Sequence, residues 1–144
     1  MHRYLTRLAL AAALVLAGSR TAHAQDFVVI VNAANPAASV SKSEASNIFL
    51  KKAAKWSHGA AAQPVDQQKS SALRDAFSRG VHGKPASAIV SFWQQQIFSG
   101  KDVPPPEKGA DADVLAFVRA NPGAVGYVSA GADLGAGVKR VPVK

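Results

Sequence analysis

Short β-branched runs and stretches with an apolar period of three to four residues take turns along this chain, and strands alternating with helices select a layered α/β domain. Residues 27–32, FVVIVN, suit a buried strand, and Asn35-Pro36 breaks it. Ser41 and Glu44 have capping-box spacing and open a helix with Ala45, Ile48 and Phe49 on one face. Residues 55–62 read as an approach loop. Pro64-Val65 is a short strand, after which Ser70 or Ser71 caps a helix carrying Leu73, Ala76 and Phe77 inward, closed by Gly80 and Gly83.

A longer helix follows Pro85, with Ile89, Phe92, Trp93 and Ile97 on a buried stripe and Gly100 as its C-cap. Pro104-Pro105-Pro106 is a stiff connector. Asp111 caps a last helix with Val114, Leu115 and Val118 inward, and Asn121-Pro122-Gly123 stops it. Strands over 124–129 and 138–141 complete a mixed sheet flanked by helices. No repeat or long linker divides it.

The first 24 residues carry a different message. Arg3 and Arg7 precede an apolar run over 8–17, and the small-residue site Ala22-His23-Ala24 follows, the pattern of a cleaved secretory leader. The run is about half of the roughly 20 residues that a spanning helix needs. The expectation is a periplasmic protein that starts at Gln25, with no membrane insertion after cleavage. One domain, residues 25–144, then remains. With no cysteine in the chain, its stability rests on an ordinary apolar core.

Of the 17 Lys and Arg residues three lie in the leader, so 14 face 9 acids in the remainder, a net charge of +5. Such a balance suits an anionic ligand or surface. The basic residues are scattered apart from Lys51, Lys52 and Lys55, and no aromatic residues are interleaved for base stacking, which argues against nucleic acid.

No catalytic constellation stands out. Ser70 and Ser71 lack a nucleophile elbow, and Asp66, Asp75, Asp111 and Asp113 offer no acid pair that spacing alone can place. His58 and His82 sit in glycine-flanked polar segments without a partner at metal-ligand spacing, so both are expected as exposed loop residues. Neither an enzyme, nor a metal, nor a cofactor is expected.

Three ordered landmarks resemble the periplasmic phosphate-binding proteins of ABC importers. They are Ile48-Phe49-Leu50-Lys51-Lys52 with Trp56, then Pro64-Val65 running into residues 70–77 (SSALRDAF), and finally Pro122-Gly123-Ala124-Val125-Gly126-Tyr127-Val128. The resemblance implies a type II periplasmic binding-protein fold. Full members close two lobes on an anion, and this length provides for one.

In that family a Gly-Ser-Gly-Thr turn at a helix N-terminus holds phosphate, with an arginine four residues before the serine. Free N–H groups and the positive end of the helix dipole supply the physics. Ser71 matches the serine and Ser70 the first glycine, whereas Ala72 replaces the second glycine, Leu73 the threonine, and Gln67 the arginine. Lys69 offers a replacement charge. The resemblance thus marks Gln67, Ser70, Ser71 and Ala72 as candidate anion contacts, with Asn32 added as the residue at the carboxyl end of the first strand.

Two functions follow. One is a solute-binding-like module taking phosphate or another small anion weakly, tied to ABC transport by resemblance. The other is a periplasmic interaction protein that docks onto an envelope or transport partner, for which an exposed apolar face around Leu73 would be the sign.

Overall fold

The computed structural model describes residues 27–144. Its strands are β1 (Phe27–Asn32), β2 (Gln63–Pro64), β3 (Asp66–Gln67), β4 (Glu107–Lys108), β5 (Ala124–Ser129) and β6 (Val138–Val141). The helices are α1 (Lys42–Phe49), α2 (Ala72–Phe77), α3 (Ala86–Phe98) and α4 (Asp111–Ala120). The expected leader and its cleavage site lie outside the described residues.

Four strands form one mixed sheet in the order β2-β5-β1-β6. β1 is antiparallel to both neighbours, with Phe27 opposite Ser129 and Val31 opposite Val125, while β2 runs parallel to β5. Alternation along β1 and β5 sends side chains to two cores. Phe27, Val29, Val31, Val125 and Tyr127 pack with Ile48 and Phe49 of α1, Trp56 and Phe77. On the opposite face Ile30, Ala124 and Val128 meet Val114, Leu115 and Val118 of α4. The α/β class and the mixed sheet between helices are as expected.

Local caps set some of these boundaries. The Ser41 hydroxyl accepts the Glu44 N–H at 3.0 Å, and Gly100, with φ +67°, turns the chain out of α3. Asp111 does not cap α4: Ala110 holds the N-cap position, and the Asp111 carboxylate instead accepts from Gln67 Nε2 and the Ser129 N–H. The helix begun by α2 does not stop at Gly80 but continues as a π-helical turn, Ser78–His82, before Gly83 at φ +68° ends it.

The inward stripe of that segment is Arg74, Phe77, Ser78 and Val81, so Leu73 and Ala76 only flank it. Leu73 packs on the core and presents no exposed apolar face. On α3 the buried stripe ends at Trp93. Phe92 is half-buried and Ile97 is 52% exposed, because the last turn of α3 runs past the body it packs on.

Candidate anion-binding turn

The stretch from Gln63 to Gln68 changes partners halfway along. The Val65 N–H donates to Val125 in the main sheet, but the Asp66 N–H donates to Pro106 and the Gln68 N–H to Lys108. A second sheet, β3 parallel to β4, starts there. The proline run is therefore more than a connector, since Pro106 supplies the first acceptor of that pairing.

This handover leaves Asp66 buried, and its charge is answered locally. The Tyr127 hydroxyl and the Gln67 N–H donate to Oδ1, while Arg74 Nη2 lies 3.5 Å from Oδ2. Burial raises the Asp66 carboxyl above the usual carboxylate range, with Arg74 and the hydrogen bonds pulling the other way. Burial and the neighbouring Asp66 raise the Tyr127 phenol, which keeps it a proton donor. Tyr127 also stacks on Phe77 with ring centroids 3.9 Å apart.

Arg74 ties the region together. It is 3% exposed, and its Nη1 donates to Gln67 O at 3.0 Å and to Glu107 Oε1 at 2.9 Å. One guanidinium from α2 thereby joins β3 to β4 and fixes the strand end from which the turn departs. The residue is legible in hindsight, because 74, 77, 78 and 81 have helical i, i+3, i+4, i+7 spacing. A charge on an inward stripe is the sign of a buried pair.

The five candidate residues divide into two groups. Ser70 is exposed in the turn, and Ser71 stands half-buried at the N-cap of α2 with φ −71° and ψ 126°. The Ser71 N–H donates to Gln68 O, but its side chain makes no capping hydrogen bond. Ala72 opens the helix beside it. Gln67 is buried beneath the turn, and its Nε2 donates to Asp111 Oδ1 and Tyr127 O, both at 3.1 Å. It braces the turn rather than facing outward.

Asn32 lies apart from these residues. Its Nδ2 donates to Val118 O and Arg119 O at the end of α4, and its Oδ1 accepts from the Ala34 N–H. Those bonds satisfy carbonyls that a helix end leaves open. The register places Asn32 beyond the Val31–Val125 pair, at the start of β5, whereas Gln67 bonds Tyr127 further along the strand, so the sheet does not bring Asn32 to the serines.

A cleft of about 40 Å³ beside the turn is lined by Lys69, Arg74, Val90, Trp93, Pro104 and Glu107 among others. That is room for about three waters. Among the described residues no group of three or more His, Asp or Glu gathers to hold a metal, and no helix is long and apolar enough to cross a membrane. His58 is exposed as expected, whereas His82 is half-buried and bonded through Nδ1 to Ser46 Oγ at 2.8 Å.

This fold recurs in several solved structures. An ABC-type phosphate transport receptor from Vibrio cholerae matches with a TM-score of 0.63 at 18% identity, over 82% of this chain and 46% of that one. A possible phosphate binding protein from Planctomyces limnophilus matches with 0.62 at 20% identity, over 83% and 41%. A putative phosphate ABC transporter substrate-binding protein from Clostridium perfringens, with bound phosphate, matches with 0.60 at 22% identity, over 82% and 44%. The chain therefore spans less than half the length of each. No protein of curated function matches it in sequence. The family model described as a PBP superfamily domain matches residues 20–141, and the chain belongs to that family.

Proposed function

We propose that the protein is an exported, non-enzymatic solute-binding module that takes a small anion such as phosphate weakly at the turn of Ser70, Ser71 and Ala72. The observation that carries the reading is the Ser71 hydroxyl, which stands at a helix N-cap without bonding its own helix. An oxyanion there would meet that hydroxyl, the open N–H groups of the first helical turn and the positive end of the helix dipole. Lys69 in the same turn adds a charge. The similarity to the structures of a phosphate transport receptor and of two phosphate-binding-protein relatives supports an anion over a neutral solute.

Weakness follows from what the turn lacks. Gln67 occupies the place of the family arginine and its amide is committed to Asp111 and Tyr127, so no bidentate guanidinium reaches the ligand. Affinity from millimolar to tens of micromolar is expected, about 4–7 kcal/mol. Titration of inorganic phosphate followed by amide NMR tests the reading: the N–H signals of 70–73 should move together with one dissociation constant. Nanomolar affinity, or a turn that phosphate leaves unmoved, overturns it.

A second reading rests on a different observation. Ile97, Phe98 and Val103 are 52%, 93% and 60% exposed and lie at the end of α3 and in the segment after it. Three large apolar side chains left exposed in one short segment support docking onto an envelope or transport partner.

A further inference from the structure

We propose that the groove between α1, the π-helical turn and the start of α3 is a second anion pocket, separate from the Ser70–Ser71 turn, for a small oxyanion with a short apolar body. The groove has a volume of about 210 Å³ and is lined by Ser46, Lys52, His82, Lys84, Ile89 and Phe92 among others. Pockets for drug-sized ligands start near 300 Å³, so the occupant is small.

Two lysines, Lys52 and Lys84, line this groove without a counter-charge. Among the described residues neither Lys52 nor Lys84 forms an ion pair, although four ion pairs form elsewhere. Both stand on backbone that is held in place. Lys52 N–H donates to Asn47 O at 2.8 Å, and the buried Ser78 hydroxyl donates to Lys84 O at 2.7 Å. The Lys52 ammonium rests 5.7 Å from the centroid of the Phe92 ring, which places cation and apolar wall side by side.

His82 completes the polar side. The Ser46 hydroxyl engages its Nδ1, leaving Nε2 as the ring atom open to a ligand. Burial is the largest cause holding its pKa down at about 4, and Arg74, Lys52 and Lys84 each push the same way. Arg74 already bonds Asp66 and Glu107. The positive field at the imidazole is therefore left to the two lysines, and an oxyanion between them would answer it. Ile89 and Phe92 offer the wall for an apolar body.

The test follows the His82 ring by NMR while phenyl phosphate, and separately inorganic phosphate, is titrated into the purified protein. Phenyl phosphate should shift the His82 signals, raise the ring's midpoint by about one pH unit, and bind several-fold more tightly than inorganic phosphate. The exposed pair Lys52→Ala and Lys84→Ala together should weaken phenyl phosphate at least tenfold with the amide spectrum otherwise retained. Lys69→Ala should leave the His82 response unchanged.

A silent His82, an unchanged response in the double variant, or equal affinity for the two probes overturns the proposal. Movement of the Ser71 amide without His82 upholds the turn and removes this pocket; movement of His82 without Ser71 does the reverse.

Discussion

Arg74 Nη1 donates to the carbonyl oxygen of Gln67 at 3.0 Å, so a helix residue seven positions downstream anchors the strand end that launches its own helix. The same guanidinium faces Asp66 and Glu107. Strand, turn and helix are locked as one unit, and the geometry of the candidate turn depends on that lock.

Arg74→Ala should therefore destabilise the protein by about 3–5 kcal/mol, because it strands a buried carboxylate and a buried carbonyl. Adding Asp66→Asn should recover part of the loss, giving a coupling of about 0.5–3 kcal/mol in a urea-unfolding cycle. Strict additivity would mean that the two side chains do not interact.

Gly123 has a steric reason to be glycine. An added Cβ would collide with the Ala61 carbonyl oxygen, while the Gly123 carbonyl accepts from both Gln63 N–H and Trp56 Nε1. Gly123→Ala should cost at least the upper end of about 1–3 kcal/mol, since backbone rather than a movable side chain is in the way. Thermal melting at the parent's temperature would show that β2 and β5 can part freely.

The contrast between legible and hidden features runs along the same lines. β1 announces itself through its β-branched run, β5 and β6 through short valine-containing segments beside turns, and α1 and α4 through periodic apolar residues, because each buries a face that local pattern prescribes. Trp56 and Gly123 are recognisable as parts of a pattern, and the structure supplies the cause: the indole N–H bonds the Gly123 carbonyl 67 positions away.

What pattern cannot show is pairing between distant polar groups. β4 consists of the two residues that follow the proline run, and it exists through its pairing with Asp66 and Gln67, the Gln68 N–H on Lys108 O and the Arg74 guanidinium on Glu107. Asn32 reads as a turn or crevice residue until its amide is seen bonded to α4. Asp111 has the residue type of a cap, yet its carboxylate serves Gln67 and Ser129.

His82 should make stability depend on pH. Its folded pKa of about 4 lies below the ordinary 6.5, so the unfolded chain takes up the proton first. Stability is fully present above about pH 6.5 and is lost as pH falls toward 4. Between pH 7.5 and 5 the loss should be about 2 kcal/mol. His82→Gln, which carries no proton in this range, should flatten that slope in urea unfolding, and an unchanged slope would assign the effect elsewhere.

Trp93 is 4% exposed on the inward side of α3, against Phe92 at a centroid distance of 5.0 Å. Trp93→Ala should cost about 3–5 kcal/mol and lower the melting temperature accordingly. A variant that melts with the parent but loses phosphate would move Trp93 from packing to the wall of the cleft it shares with Lys69 and Arg74.

Ser71→Ala separates the two roles that a serine can play at a helix start. A hydroxyl that caps its helix contributes about 1 kcal/mol, and removing it lowers stability by that amount. The Ser71 hydroxyl makes no such bond, so the alanine variant should lie within about 0.5 kcal/mol of the parent in urea unfolding. If the hydroxyl instead meets the anion, phosphate affinity should fall by about 1.5–3 kcal/mol, roughly tenfold or more, because a hydrogen bond to a charged group is lost. Isothermal titration beside the unfolding curve reads both quantities on one sample. Lost stability with unchanged phosphate binding would make Ser71 a cap and place the anion elsewhere on the chain.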